Sequence, residues 1–119
     1  MIPAEIHGQK YISLVSFRKN GAGVPTPVWF AEDAGKLYVM TGSHLGKYKR
    51  IRNNPQVTIA PCTIRGKITG PEVRASARML PPEDFPRIRK LINRKYWLAR
   101  LPLIWSRTDV YLEITPLAS

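Results

Sequence analysis

The sequence predicts a mainly β domain: a small barrel of antiparallel strands with two helices packed on it. Three observations carry that expectation. Short β-rich runs recur with turn residues between them, amphipathic segments interrupt the runs at two places, and no β-α-β alternation points to a parallel sheet. A chain of 119 residues is most naturally one domain, 1–119, with one modest core.

Residues 11–18 (YISLVSFR) have the composition of a strand, and Asn20-Gly21 behind them suits a hairpin turn. The run 24–31 (VPTPVWFA) reads as a second strand. Pro25 and Pro27 cannot donate to a ladder, so their side of it is expected at a sheet edge or against a ligand groove. Asp33-Ala34-Gly35 turns the chain into a third strand, 36–41. Thr41 or Ser43 is expected to cap a short helix that runs to about Asn53, where Asn54-Pro55 stops it. Strands follow at 56–62 and 73–80. Pro81 and Pro82, with Glu83 and Asp84 in the first turn, open the main helix, whose apolar stripe is Phe85, Ile88, Leu91, Ile92 and Tyr96. A strand at 108–115 closes the chain, and the short early turns predict an antiparallel meander.

Apolar residues make up 44% and charged residues 23%, which reads as globular. The first ten residues, MIPAEIHGQK, hold no apolar h-region, and the apolar passage 97–105 (WLARLPLIW) is too short for a membrane span. One cysteine, Cys62, excludes an internal disulfide and fits a reducing compartment, so a cytoplasmic location is expected. Net charge is +11 with a pI near 10.3. No acid lies between Asp33 and Glu72, nor between Asp84 and Asp109. Two such blocks favour a polyanionic partner over a merely solvated basic surface: nucleic acid, a phosphorylated cofactor or an acidic tail.

Few residues offer catalytic chemistry. His7, His44 and Cys62 are too few for a closed zinc site, no metal is expected, and no nucleophile elbow, P-loop or dinucleotide fingerprint is present. None of the 8 carboxylates is obviously paired for acid–base work. Cys62 reads as an inert core thiol and His44 as a polar loop residue. Binding chemistry remains, concentrated in 41–57 (TGSHLGKYKRIRNNPQV). A strand ends at Thr41, Gly42 and Ser43 allow close approach, and a helix begins with unpaired N–H groups. Lys47 and Arg50, one turn apart, could close on one phosphate or carboxylate; the same pattern also suits an ordinary capped surface helix. Trp29 could stack on a flat ring, although a strand Trp is often core.

The runs PTPVWF, LYVMTGSHLGKYKRIRNNPQVTIAPCTIRG and RASARML together resemble the split β-barrel flavin/deazaflavin oxidoreductases, the pyridoxamine 5′-phosphate oxidase-like superfamily, and within it the small enzymes that bind coenzyme F420. The likeness covers about Tyr11 to Leu80. It implies a homodimer with two cofactor sites at the subunit interface. It also implies that Thr26, Pro27, Val28 and Trp29 lie along the ring system, and that Met40, Thr41 and Gly42 with Lys47 and Arg50 hold the phosphate. Ile59, Ala60, Pro61 and Cys62 would add contacts to the ring or its chain. The family often has Ser where this chain has Leu45, and Ser43 is the candidate substitute. An extended anionic cofactor chain suits F420 better than FMN, the alternative, with Arg50, Arg52, Arg65 and Lys67 as a basic track. The substrate would be an unsaturated carbonyl, quinone or tetrapyrrole, protonated by solvent or Tyr48. A basic nucleic-acid-binding barrel is the competing reading; against it, the aromatics sit in strands among apolar neighbours and form no stacking platform. The 97–105 stretch is a substrate lid, a dimer contact or a buried extension.

Overall fold

The computed structural model describes residues 2–43, 45–96 and 110–117. His44, the 97–105 stretch and the first two residues of the expected last strand lie outside them. The elements are β1 (Ile12–Phe17), β2 (Gly23–Val28), β3 (Ala31–Asp33), β4 (Lys36–Thr41), α1 (Gly46–Asn53), β5 (Gln56–Pro61), β6 (Val73–Met79), α2 (Phe85–Lys95) and β7 (Val110–Pro116). All strand pairs are antiparallel, and the sheet runs β2-β1-β5-β6-β7-β4-β3, curled into a half-barrel. The mainly β class with two helices is therefore as expected. The order is not a meander, because β2 and β3 lie at opposite edges and β7 inserts between β6 and β4.

Period-two alternation fills the barrel. Ile12 and Leu14 of β1, Leu37 and Val39 of β4, Val57 and Ile59 of β5, and Leu112 and Ile114 of β7 meet Phe30 in the central core. Ile51 of α1 enters the same core at 2% exposure, so the short helix closes one end of the half-barrel. Prolines Pro25 and Pro27 sit in β2, an edge strand, as their missing N–H groups require.

A second core lies on the other face of β3 and β4. Ile88, Ile92 and Tyr96 of the α2 segment pack on Ala31, Tyr38 and Tyr111, with Trp29, Met40, Phe85 and Leu91 at its margin. The stripe expected on this helix is therefore its buried face. Tyr38 pairs in register with Glu113, and Glu113 is buried, holding hydrogen bonds from Arg78 (2.8 Å), Tyr38 (3.1 Å) and Lys36 (3.3 Å). Burial alone would raise the Glu113 pKa, but these three donors outweigh it and hold the carboxyl below its ordinary value.

The expected single strand at 24–31 breaks at Trp29-Phe30. The Tyr96 hydroxyl lies 2.6 Å from the Lys10 carbonyl and 2.9 Å from the Phe30 carbonyl, and accepts the Phe30 N–H at 3.1 Å. Phe30 thus gives its backbone groups to a side chain instead of a ladder, and the chain turns from one sheet edge to the other. The Tyr96 ring stacks on Trp29 at 4.5 Å and 6°. We expect Tyr96→Phe to keep the stack but orphan the Phe30 amide, lowering unfolding free energy by about 1–3 kcal/mol in denaturant titrations.

Lys95 presents an opposite case. Its Nζ is buried with no hydrogen-bond partner among the described residues and sits 3.5 Å from the Phe30 ring centroid. Burial lowers its pKa to about 8 from an ordinary 10.5, only partly offset by Glu32. Because the folded pKa lies below the unfolded one, protonation opposes folding below pH 8 and the penalty fades between about pH 8 and 10.5. Lys95→Met should therefore be more stable than the parent at pH 7, with the gap narrowing toward pH 10 in paired melts.

Candidate functional site

The start of α1 gathers most of the unusual chemistry. Thr41 ends β4 opposite Val110, Gly42 and Ser43 form the turn, and the Leu45 N–H closes it on the Gly42 carbonyl at 3.0 Å. The cap position falls on neither Thr41 nor Ser43, contrary to expectation. Thr41 is committed to β4, and the extended residue before the helix is Leu45, whose side chain has no acceptor. The helix begins at Gly46 with no side-chain cap and no acid in its first turn. Its leading N–H groups therefore present partial positive charge without an internal anion.

Two cations converge there. Arg50 Nε donates to Ser16 Oγ at 2.7 Å, and Ser16 is fully buried on β1. The guanidinium lies so close over Gly46 that an added Cβ would stand 2.7 Å from Nη1. Burial and then the charge of Arg50 lower the pKa of Lys47. Within the strand just before the turn, Thr41 Oγ1 is buried and has no hydrogen-bond partner among the described residues. Like charges set side by side, the amides of a helix start and a hydroxyl with no partner among the described residues together match what a phosphate group supplies: negative charge and acceptor oxygens.

The remaining residues read from the sequence are more dispersed. Thr26, Pro27 and Val28 lie on β2, opposite Leu14, Ser13 and Ile12; Ala60 and Pro61 lie on β5, opposite the same Ser13 and Ile12. The two segments are thus separated by β1. Arg50 meets β1 at Ser16, four residues from Ile12, or about 13 Å along the strand. Val28, Ala60, Pro61 and Cys62 are buried, whereas Thr26 and Met40 are half-buried and Pro27 is exposed. One face of Trp29 is already taken by Tyr96. Burial raises the Cys62 thiol pKa, in keeping with an inert core thiol.

Ser16 and Gly46 were not singled out from the sequence. Ser16 carried a usable signal, because it shares the inward face of β1 with Ile12 and Leu14 and is polar where a core residue belongs. Gly46 carried none, since its role depends on where the Arg50 side chain folds. His7, set aside as a candidate ligand, lies 2.7 Å from Glu32 through Nδ1.

No family model matches the sequence, and a search of curated proteins found no match. Solved structures do match the fold. An F420 reductase shares 23% identity over 98% of this chain and 97% of its own, with a TM-score of 0.69. An FAD-binding protein from Mesorhizobium loti shares 18% over 92% and 81%, at 0.68. HutZ, the heme storage protein of Vibrio cholerae, shares 14% over 94% and 84%, at 0.71. Identities this low establish the fold: this chain has the split-barrel architecture found among flavin- and deazaflavin-type proteins, the class its motifs resemble. The same fold carries heme storage in HutZ, so function has to be argued from the site.

The site makes a signed prediction in the absence of any cofactor. Inorganic phosphate should raise the melting temperature of the parent protein, and Lys47→Ala should remove most of that rise in a thermal-shift series. Gly46→Ala should do the same in part, by displacing the guanidinium.

Proposed function

We propose that the protein is an oxidoreductase using coenzyme F420, with FMN as the alternative occupant of the same site. The observation that carries this reading is the start of α1, which brings Lys47 and Arg50 together behind a cap residue, Leu45, without an acceptor side chain and with no acid in the first turn. Thr41 and the turn residues Gly42 and Ser43 complete the phosphate side. Resemblance in the β2, β4–α1 and β5 motifs supports the ring side, with Thr26, Pro27 and Val28 offering the edge of β2. When bound, such a cofactor supplies the hydride transfer itself. The chain's part is to anchor the phosphate through Lys47, Arg50 and the helix amides, and to present the ring to an unsaturated carbonyl, quinone or tetrapyrrole.

F420 is placed before FMN because its anionic chain extends past the first phosphate, and Arg52, Arg65 and Lys67 are further cations for it. A homodimer with sites at the interface is part of the proposal: β2 is an open edge, and Ile64 and Ile68 beyond β5 are 65% and 49% exposed. So is a cytoplasmic location. Among the described residues no helix is long and apolar enough to cross a membrane.

Parallel titrations with F420 and FMN test the reading. F420 should bind more tightly, and Lys47→Ala should weaken it at least about tenfold, the scale of one charge-assisted contact. Tighter FMN binding would favour the alternative. Binding of neither cofactor, or unchanged affinity in Lys47→Ala, would overturn the site.

A further inference from the structure

A cleft of about 330 Å³ opens between the β1–β2 turn and the flank of α1. Arg18 and Lys19 line it from the β1–β2 turn, Lys49, Arg50, Asn53 and Asn54 from α1 and its end, and Phe17 from the end of β1. Four cations face one concavity whose described lining contains no acid. The turn that carries Arg18 and Lys19 is itself fixed: Arg18 N–H bonds the Ala22 carbonyl at 2.9 Å, Gly21 N–H the Arg18 carbonyl at 2.9 Å, and Ala22 N–H the Asn20 side chain at 2.9 Å. The cations are therefore presented on a hydrogen-bonded turn. Phe17 also lines a neighbouring cavity of about 170 Å³, which holds Gln56, Arg74 and Leu117. A half-buried aromatic ring thus sits between a basic cleft and a smaller mixed one.

These groups sort by chemistry. Cations crowded on a concave wall repel one another, and a single phosphate would neutralise at most two of them, whereas a di- or triphosphate chain matches the row. An aromatic side chain in the lining offers a flat heterocycle a stacking partner, and the carboxamides of Asn53 and Asn54 hold both donors and acceptors for its edge. The volume is at the small end of ligand pockets, suited to a compact polar ligand. We propose that this cleft binds a nucleoside di- or triphosphate, phosphates on Arg18, Lys19 and Lys49 and base against Phe17. The site is separate from the phosphate seat at Lys47 and does not rest on the cofactor reading. The two adjoin through Arg50, so an occupied cleft draws on the same guanidinium and weakens anion binding at Lys47.

Calorimetric titrations of the full chain with ADP, adenosine and pyrophosphate at about 0.15 M salt test this. ADP should bind with a dissociation constant below about 0.1 mM and more tightly than either fragment. Arg18→Ala/Lys19→Ala, on an exposed turn, should weaken ADP at least about tenfold. Phe17→Leu, which keeps an apolar side chain, should weaken ADP at least about fivefold but leave pyrophosphate within twofold or so. Lys47→Ala should leave ADP nearly unchanged. The proposal is overturned if ADP binds no better than pyrophosphate, if the double variant binds normally, or if Lys47→Ala alone abolishes binding, which would assign ADP to the phosphate seat.

Discussion

The hydrogen bond from Arg50 to the buried Ser16 hydroxyl organises this molecule around its site. It joins α1 to β1, fixes the guanidinium over Gly46 and leaves Lys47 facing a like charge. A buried hydroxyl that receives a charged donor is satisfied, and an arginine pinned at one nitrogen keeps its others for a ligand. Ile51, in the same helix, is anchored in the core, so the helix cannot drift away from β1 to relieve the repulsion. The arrangement stores unbalanced positive charge in a fixed place, which a bound anion stabilises.

The second organising contact is the Tyr96 hydroxyl at the Phe30 backbone. By taking both backbone groups of Phe30 it ends one strand and starts another at the opposite edge, which lets a single sheet curl round the core. The same residue secures the end of α2 against β3, and its ring covers one face of Trp29. Glu113 does comparable work on the outer face, where three donors hold a buried carboxylate beside Tyr38. One face of β3 and β4 therefore serves the barrel core and the other serves α2.

Much of this was legible in the sequence, for identifiable reasons. Alternation in β1, β4 and β5 is a local signal and placed these strands within a residue, whereas α2 begins only at Phe85. Pro82–Asp84, expected with Glu83 and Asp84 as its first turn, form a separate 3-10 turn because the paired prolines hold the chain extended up to Pro81. The prolines of β2 marked an edge because a missing N–H has the same consequence in any fold. Strand order was not legible: hairpin turns report only which neighbours pair, and the break at Phe30 is imposed by a tyrosine 66 residues away. At the site, Lys47, Arg50, Thr41 and Gly42 could be found because they are close in sequence. Ser16 was legible only as a polar residue on the inward face of β1, and Gly46 not at all, since its role depends on the fold of the Arg50 side chain. The cap position expected at Thr41 or Ser43 falls on Leu45 instead, because the chain stays extended through that residue before α1 begins.

The phosphate seat proposed at the β4–α1 turn is the central claim. The most direct measurement is amide NMR during titration with F420. The account predicts that the largest shifts fall on the backbone amides of Gly46, Lys47 and Tyr48 and on Thr41, with the Arg50 side-chain signals moving in step. Saturable binding that leaves these amides unshifted, with changes confined to other faces of the barrel, would contradict it.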